Sequence, residues 1–259
     1  MRKIIVLLML LWLWRLNVYA QEGFRMGVLL SPQLNWIKSN DKLINQNGLQ
    51  ASLLFGLMGE IALNDHFALG LGLNYTFNKG GRLLYDKGGN YLPKSDLSNP
   101  KLNTGDKPLP DMTEIRFSFK SLEVPVSLKI RTNDSGLFRY FLEWPIFRWG
   151  IVTQARGDLK GVGIRAAEDE NINKDIYRYQ IDWGAGAGLE FEMSNYNTLI
   201  LGIQYTKSLN DVTRNNGHRA LNLTSNNGTP DPSDDVYTKA RDVSNSRVGV
   251  IALRLGILF

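Results

Sequence analysis

A two-residue period returns along most of this chain, and it limits the fold more than any other feature. From Tyr177 to Phe191 one parity reads Tyr177, Tyr179, Ile181, Trp183, Ala185, Ala187, Leu189 and Phe191. The other reads Arg178, Gln180, Asp182, Gly184, Gly186, Gly188 and Glu190. Successive side chains of a strand point to opposite faces, so this segment has one apolar face and one polar, glycine-rich face. Leu253, Leu255, Ile257 and Phe259 against Ala252, Arg254 and Gly256 repeat the pattern, as does the run Phe67 to Phe77. Eight such strands are expected, near 24–36, 49–63, 67–77, 114–130, 137–153, 177–192, 198–207 and 247–259.

The connections alternate in length. Tight polar turns at Asn64-Asp65-His66, around Asn133-Asp134-Ser135-Gly136 and at Ser194-Asn195-Tyr196-Asn197 separate the second and third, fourth and fifth, and sixth and seventh strands. The other connections, about 37–48, 78–113, 154–176 and 208–246, are long. Long structureless loops argue against a compact soluble domain, whereas short turns at one end and long loops at the other are the layout of a transmembrane barrel. The expected fold is all-β: an eight-stranded antiparallel up-and-down transmembrane β-barrel with short periplasmic turns and long extracellular loops.

Alternation alone leaves open which face is outward, and a soluble barrel would bury the apolar one. Two observations point to lipid. The polar face is mostly Gly, Ala and Ser with scattered charges, which suits a narrow interior. The aromatic residues of the apolar face also sort by height. Phe24, Phe67, Phe138, Tyr140, Phe191 and Phe259 lie near the short turns; Trp36, Tyr75, Phe77, Phe117, Trp149, Tyr177, Tyr179 and Tyr205 lie near the long loops. Two aromatic girdles around an aliphatic band fit the two membrane interfaces.

The inward parity supplies Arg25, Glu60, Arg116, Lys120, Glu123, Lys129, Arg139, Glu143, Arg148, Arg178, Asp182, Glu190 and Arg254. Arg25, Glu60, Glu123, Arg139, Glu143, Arg178, Asp182, Glu190 and Arg254 are the expected lumen charge network. Eight strands leave an interior that side chains just fill, so the network reads as a salt-bridge plug; a proton or small-ion path is the sharper alternative. A second turn centred near Asn133 would place Glu123 opposite Glu143 and Phe117 opposite Trp149, with paired kinks near Ser121 and Pro145. A first turn centred on Asp65 would place Gly70 opposite Glu60 and Gly72 opposite Met58.

Residues 1–20 read as a signal peptide: basic Arg2-Lys3, eleven apolar residues from Ile4 to Trp14, and a Val18-Tyr19-Ala20 cleavage site. Residues 21–259 then form the outer-membrane barrel domain. The formal charge is +5, but residues 1–20 hold Arg2, Lys3 and Arg15 and no acid, leaving 27 cations against 25 anions. No nucleic-acid partner is expected. The chain has no cysteine and only His66 and His218, which excludes thiolate chemistry and multi-histidine metal sites.

His218 lies in the last long loop near Asp211, Arg214, Arg219, Asp231, Asp234 and Asp235, and a histidine beside an acid can act as a base. This loop is rich in Asn, Gly, Ser and Asp throughout, so such neighbours arise without design and a solvated loop is the reading. Asp231-Pro232-Ser233-Asp234-Asp235 lacks the calcium-loop spacing. Gly70-Leu71-Gly72 and Gly184-Ala185-Gly186-Ala187-Gly188 lie within alternating strands and open no helix, so they are not phosphate loops. No catalytic residue, metal site or cofactor is expected.

Leu122-Glu123-Val124-Pro125-Val126-Ser127-Leu128-Lys129 resembles a strand motif of the PorT-like outer-membrane β-barrel family of Bacteroidetes. Gly27 to Trp36, the Gly56-to-Gly72 hairpin and Phe138–Gly150 are similar to that family's early strands and fifth strand. The resemblance implies the cell outer membrane of a Gram-negative, Bacteroidetes-type envelope. It also implies a non-enzymatic structural or accessory role beside envelope or protein-secretion machinery, since the namesake is an accessory of the type IX secretion system. Expected partners are outer-membrane lipid, the barrel-assembly machinery reading the terminal Phe259 strand, and envelope proteins met through loops 78–113 and 208–246. A narrow porin-like channel and a loop-end enzyme are the alternatives.

Overall fold

The computed structural model describes residues 23–95, 97–98, 109–133, 138–162, 166–193, 197–214, 217–225 and 236–259. Residues 1–20, expected to be a leader, and Asp134–Gly136, Ser194–Tyr196 and Asp231–Asp235 lie outside them. The strands in chain order are β1 (Phe24–Ser39), β2 (Ile44–Gln46), β3 (Gln50–Ala62), β4 (Phe67–Tyr85), β5 (Gly89–Asn90), β6 (Thr113–Arg131), β7 (Phe138–Lys160), β8 (Ala167–Asn171), β9 (Tyr179–Glu192), β10 (Thr198–Ser208), β11 (His218–Ser225), β12 (Val236–Arg241) and β13 (Ser246–Leu258). Eight of them, β1, β3, β4, β6, β7, β9, β10 and β13, pair antiparallel with their neighbours in that order. The pairing of β1 with β13 closes the ring that the sequence alternation implied.

The apolar parity faces outward. Leu253 and Leu255 are 42% and 38% exposed, while Ala252 beside Leu253 is buried. The β3–β4 register matches the turn centred on Asp65: Glu60 lies opposite Gly70 and Met58 opposite Gly72. His66 stands at that turn as a turn residue, its Nε2 2.6 Å from the Asn133 Oδ1 of the adjoining turn. The interior glycines give room to large neighbours. A methyl group on Gly188 would come within 2.6 Å of the Phe141 ring, which fills the lumen across β9 and β10.

The β6–β7 hairpin departs from expectation. Glu123 lies opposite Gly150, and Glu143 opposite Lys129, so the two glutamates do not meet. Pairing runs on to the Thr132 N–H bond with the Tyr140 carbonyl, which puts Asn133 at the edge of the turn and not at its centre. Nor does β6 change parity: its odd-numbered residues point inward from Thr113 to Arg131. Phe117 is therefore an interior residue, 1% exposed, and lies opposite Gly157. It is not a girdle aromatic.

The environment, not the strand, explains the apparent change of face. Above the apolar band β4, β6 and β7 continue as a wall that is joined by β2 and β8, and there the surroundings are water. In that region the apolar side turns in. Ile37, Ile44, Leu83, Tyr85, Tyr91, Leu109, Ile115, Phe117, Phe119, Val152, Leu159, Ile172 and Val212 form one buried cluster. The outward positions Arg116, Lys120, Arg156 and Lys160 are polar. A second small sheet, β12-β11-β5, stands at the same end.

Bulges mark the change of level. In β4 the register shifts between Thr76 and Lys79, and in β7 it shifts opposite the step from Lys120 to Ser121. Both flank the same point of β6. An extra residue bends and twists a strand, which lets the wall rise out of the barrel. Asn78 holds the β4 bulge with φ 60°, a conformation that Asn tolerates. Its amide donates to the Ala51 carbonyl at 2.8 Å and its oxygen accepts from Ser118 at 2.7 Å. A third shift, between Glu143 and Ile146, is the kink expected at Pro145.

The two environments predict opposite responses. Phe119→Ala, inside the cap, should cost about 3–5 kcal/mol in a denaturant titration of the refolded protein. Phe77→Ala, on the outer face, should cost much less, because mobile lipid chains fill the space. Equal losses would show that the cap has no packed core.

Candidate functional site

Every strand of the band sends its small or polar parity into the lumen, and the charges there sort into two layers. The layer nearer the short turns joins β1, β3, β6 and β9. Lys129 bonds the Glu60 carboxylate and lies 3.0 Å from Glu190. Arg131 pairs with Glu60 and reaches Glu190 at 3.0 Å. Arg25 closes the layer at the mouth, 2.9 Å from Glu60. Glu143 extends it upward, paired with Arg254 and 3.8 Å from Lys129. Lys129 also stands 4.6 Å above the centre of the Phe141 ring.

The upper layer lies just below the cap. Lys79 sits between Asp182 at 2.7 Å and Glu123 at 3.0 Å. Arg148 reaches the other Glu123 oxygen at 3.0 Å, and the Ser121 hydroxyl donates to Glu123 at 2.8 Å. Lys79 is brought inward by the β4 bulge, which reverses the parity of that strand. Between the layers remains a cavity of about 40 Å³, bounded by Glu143, Arg148, Gln204 and Arg254 among others. That is room for a few waters.

Of the nine residues expected in the lumen network, Arg25, Glu60, Glu123, Glu143, Asp182, Glu190 and Arg254 lie in these layers. Arg139 stands at the short-turn mouth, 3.6 Å from Glu192. Arg178 is exposed: β9 begins only at Tyr179, so Arg178 belongs to the loop above the barrel and not to the lumen. Arg116 and Lys120 leave the lumen for the same reason that Phe117 enters it. The outward face of the wall at their level is wet, and Arg116 pairs there with Asp158 at 3.2 Å.

Two network members escape the sequence pattern. Lys79 falls in an expected loop, and Arg131 lies one residue beyond an expected strand; only the bulge and the longer hairpin reveal them. The girdle residues Phe24, Phe67, Tyr75, Phe138, Tyr140, Trp149, Tyr177, Tyr179, Phe191, Tyr205 and Phe259 all point outward or lie partly exposed on the outer parity.

The loop end holds acids, but they organise chain. Asp211 accepts the Thr213 and Ser246 N–H groups at 3.1 and 2.9 Å. Burial pushes its carboxyl above the usual range, against those bonds. Asp175, raised by burial in the same way, accepts the Ser95 hydroxyl at 2.5 Å and the Lys94 N–H at 3.1 Å. Burial works to raise Asp41, but the Leu43 N–H and the paired Arg219 guanidinium hold it below its ordinary value. His218 opens β11 with an exposed side chain. Arg214 donates to the Ile176 carbonyl and lies over the Tyr177 ring.

Removing Lys129 should take one cation from three carboxylates at once, leaving Glu60 and Glu190 to Arg131 and Arg25 and Glu143 to Arg254. Lys129→Met is expected to cost about 3–5 kcal/mol in urea refolding, or to prevent folding outright. Lys120→Met, on the wet outer wall, should stay within about 0.5 kcal/mol. A tolerated Lys129→Met would show that the remaining arginines satisfy the three carboxylates without it.

No curated protein matches the chain. Among solved structures it is similar to Neisserial surface protein A, at 12% identity and TM-score 0.38 over 92% of this chain and 100% of that one. It is also similar to the attachment invasion locus protein Ail of Yersinia pestis, at 12% and 0.39 over 92% and 100%. A third is the outer membrane protease OmpT of Escherichia coli, at 7% and 0.40 over 92% and 96%. The family model described as "Outer membrane protein beta-barrel domain" matches residues 19–214. With the closed ring, the lipid-facing apolar belt and that match, the chain belongs to the outer membrane protein β-barrel domain family.

Proposed function

We propose that this outer-membrane barrel is a non-enzymatic structural or accessory component of envelope or protein-secretion machinery, of the PorT type, in a Bacteroidetes-type envelope after removal of residues 1–20. In this reading the barrel-assembly machinery recognises β13 and the adjoining Phe259. Loops 78–113 and 208–246 meet the protein partner.

The observation that supports this reading is the division of the molecule into a closed lumen and a packed cap. Two ion layers occupy the lumen, with a cavity of about 40 Å³ between them, a filling that favours a plug over a path for solutes. The loop end, by contrast, carries a hydrophobic core of its own. Surface loops held on a rigid base are suited to recognition. The narrow-channel alternative draws on buried lumen atoms without partners, such as both side-chain polar atoms of Gln180. Those atoms are consistent with a few lumen waters. For the loop-end enzyme, the acid nearest His218 in sequence among the described residues, Asp211, is engaged with backbone.

Two measurements test the reading. The purified full-length barrel in a planar bilayer should show no steady single-channel openings; stable openings would support the channel instead. Crosslinking in intact envelopes should enrich a defined set of envelope or secretion proteins. That enrichment should fall at least tenfold when residues 99–108 and 226–235 are replaced by Gly-Ser in a chain that still migrates as a folded barrel. Undiminished enrichment would remove the loops from the account.

A further inference from the structure

Three cations stand together on the outside of the wall, at the height where the apolar band ends. Lys38 of β1 lies directly opposite Arg247 of β13. Lys207 of β10 lies opposite Gly249, two residues along the same face of β13. With Ser39, Asn40 and Asn245 these side chains line an open depression of about 330 Å³.

The neighbouring outward residues on the membrane side are aromatic. The Trp36 ring lies against Gly249, where an added methyl group would come within 2.4 Å of the indole. It also stacks on Tyr205 with ring centres 6.3 Å apart. Lys207 is flanked by Trp183 on β9. One row further down, Leu34, Ile251 and Tyr205 carry the same outward parity into the apolar belt.

Like charges directly opposite each other in an antiparallel pair repel. In the lumen the cations are matched by carboxylates, yet among the described residues none of these three has one. Arg247 Nε makes only a 3.4 Å bond to Asn245 Oδ1. An anion seated between Lys38, Arg247 and Lys207 would turn their repulsion into attraction. The guanidinium fork can give a phosphate two parallel bonds, and the lysines add charge at its other oxygens.

The position selects among anions. On its membrane side the same outward face runs on through Trp36 and Tyr205 to Leu34 and Ile251 of the lipid-facing belt. Interfacial Trp and Tyr rings sit at headgroup level. We propose that Lys38, Lys207 and Arg247 bind the phosphate headgroup of a phosphorylated lipid in the leaflet around the long-loop end, its acyl chains lying along Trp36, Leu34, Ile251 and Tyr205. The site takes one lipid in a fixed place on the β10–β13–β1 side of the barrel.

The test uses the full-length barrel folded in neutral detergent, with retained lipid counted by native mass spectrometry. Probes are diphosphoryl lipid A, its dephosphorylated form and inorganic phosphate. The wild type should retain the phosphorylated lipid in a salt-sensitive manner and the dephosphorylated form far less. The triple variant K38Q/K207Q/R247Q should bind on the order of a hundredfold more weakly. K120Q/R178Q, which removes exposed cations elsewhere at the same end, should bind as the wild type does. Equal retention of both lipid forms overturns the proposal, as does undiminished binding by the triple variant or an equal loss in K120Q/R178Q. Displacement by inorganic phosphate as strong as by the lipid would reassign the site to free phosphate and overturn the lipid. If the triple variant fails to fold, the comparison of the two lipid forms on the wild type, with R247Q alone, decides.

Discussion

The hydrocarbon around this protein offers no hydrogen-bond partner, so every backbone group at that depth must find one in the protein. The chain meets the requirement by pairing β1 with β13 and closing the sheet on itself. Most of the architecture is a consequence of that closure. A ring of eight strands is narrow, so its interior fills with side chains. Because the exterior is apolar, the polar half of each strand has nowhere to go but inward. The lumen network is thus the obligatory counterpart of a greasy surface, and glycines opposite Phe141 and Glu123 let such large groups fit.

Closure also explains why the lumen charges occur as layers. A single buried ion costs several kcal/mol, and one pair still leaves lone pairs and protons unmet. Sharing reduces the deficit: Lys129 and Arg131 serve Glu60 and Glu190 together, while Lys79 serves Glu123 and Asp182 and Arg148 adds to Glu123. Each layer ties strands that are distant in sequence. Arg25, Glu60, Lys129 and Glu190 come from four different strands, so their geometry exists only once the ring is complete.

The strands and the inward or outward sense of the band are legible in the sequence because the period of two and the lipid boundary act residue by residue. The β3–β4 register is legible because Asn64 caps a turn that begins and ends at sharp polar residues: its Oδ1 accepts the N–H groups of His66 and Phe67. The β6–β7 register is not. Asn133 is the first strong turn former after Ile130, but pairing continues to its edge, and the Pro145 kink hides the offset. Phe117 and Phe119 mislead for a different reason. Alternation reports only that two faces differ, and the sign of the difference reverses where lipid gives way to water. Lys79 is illegible because a bulge residue shifts every later side chain to the other face.

That reversal carries the functional reading. Below the level of Lys120 the molecule is a membrane barrel, apolar outside and charged within; above it, the same three strands behave as a soluble sheet with an apolar inner face. The bulges at Asn78 and in β7 opposite Lys120 sit at the joint, and the upper ion layer lies in the lumen directly beneath it. In the proposed reading such a wall carries no solute. It instead lifts the loops clear of the headgroups on a base that cannot collapse into the barrel, since the Lys79–Glu123–Asp182–Arg148 layer occupies the space. Selection for conduction would act against such a layer, whereas selection for a fixed recognition surface would keep it.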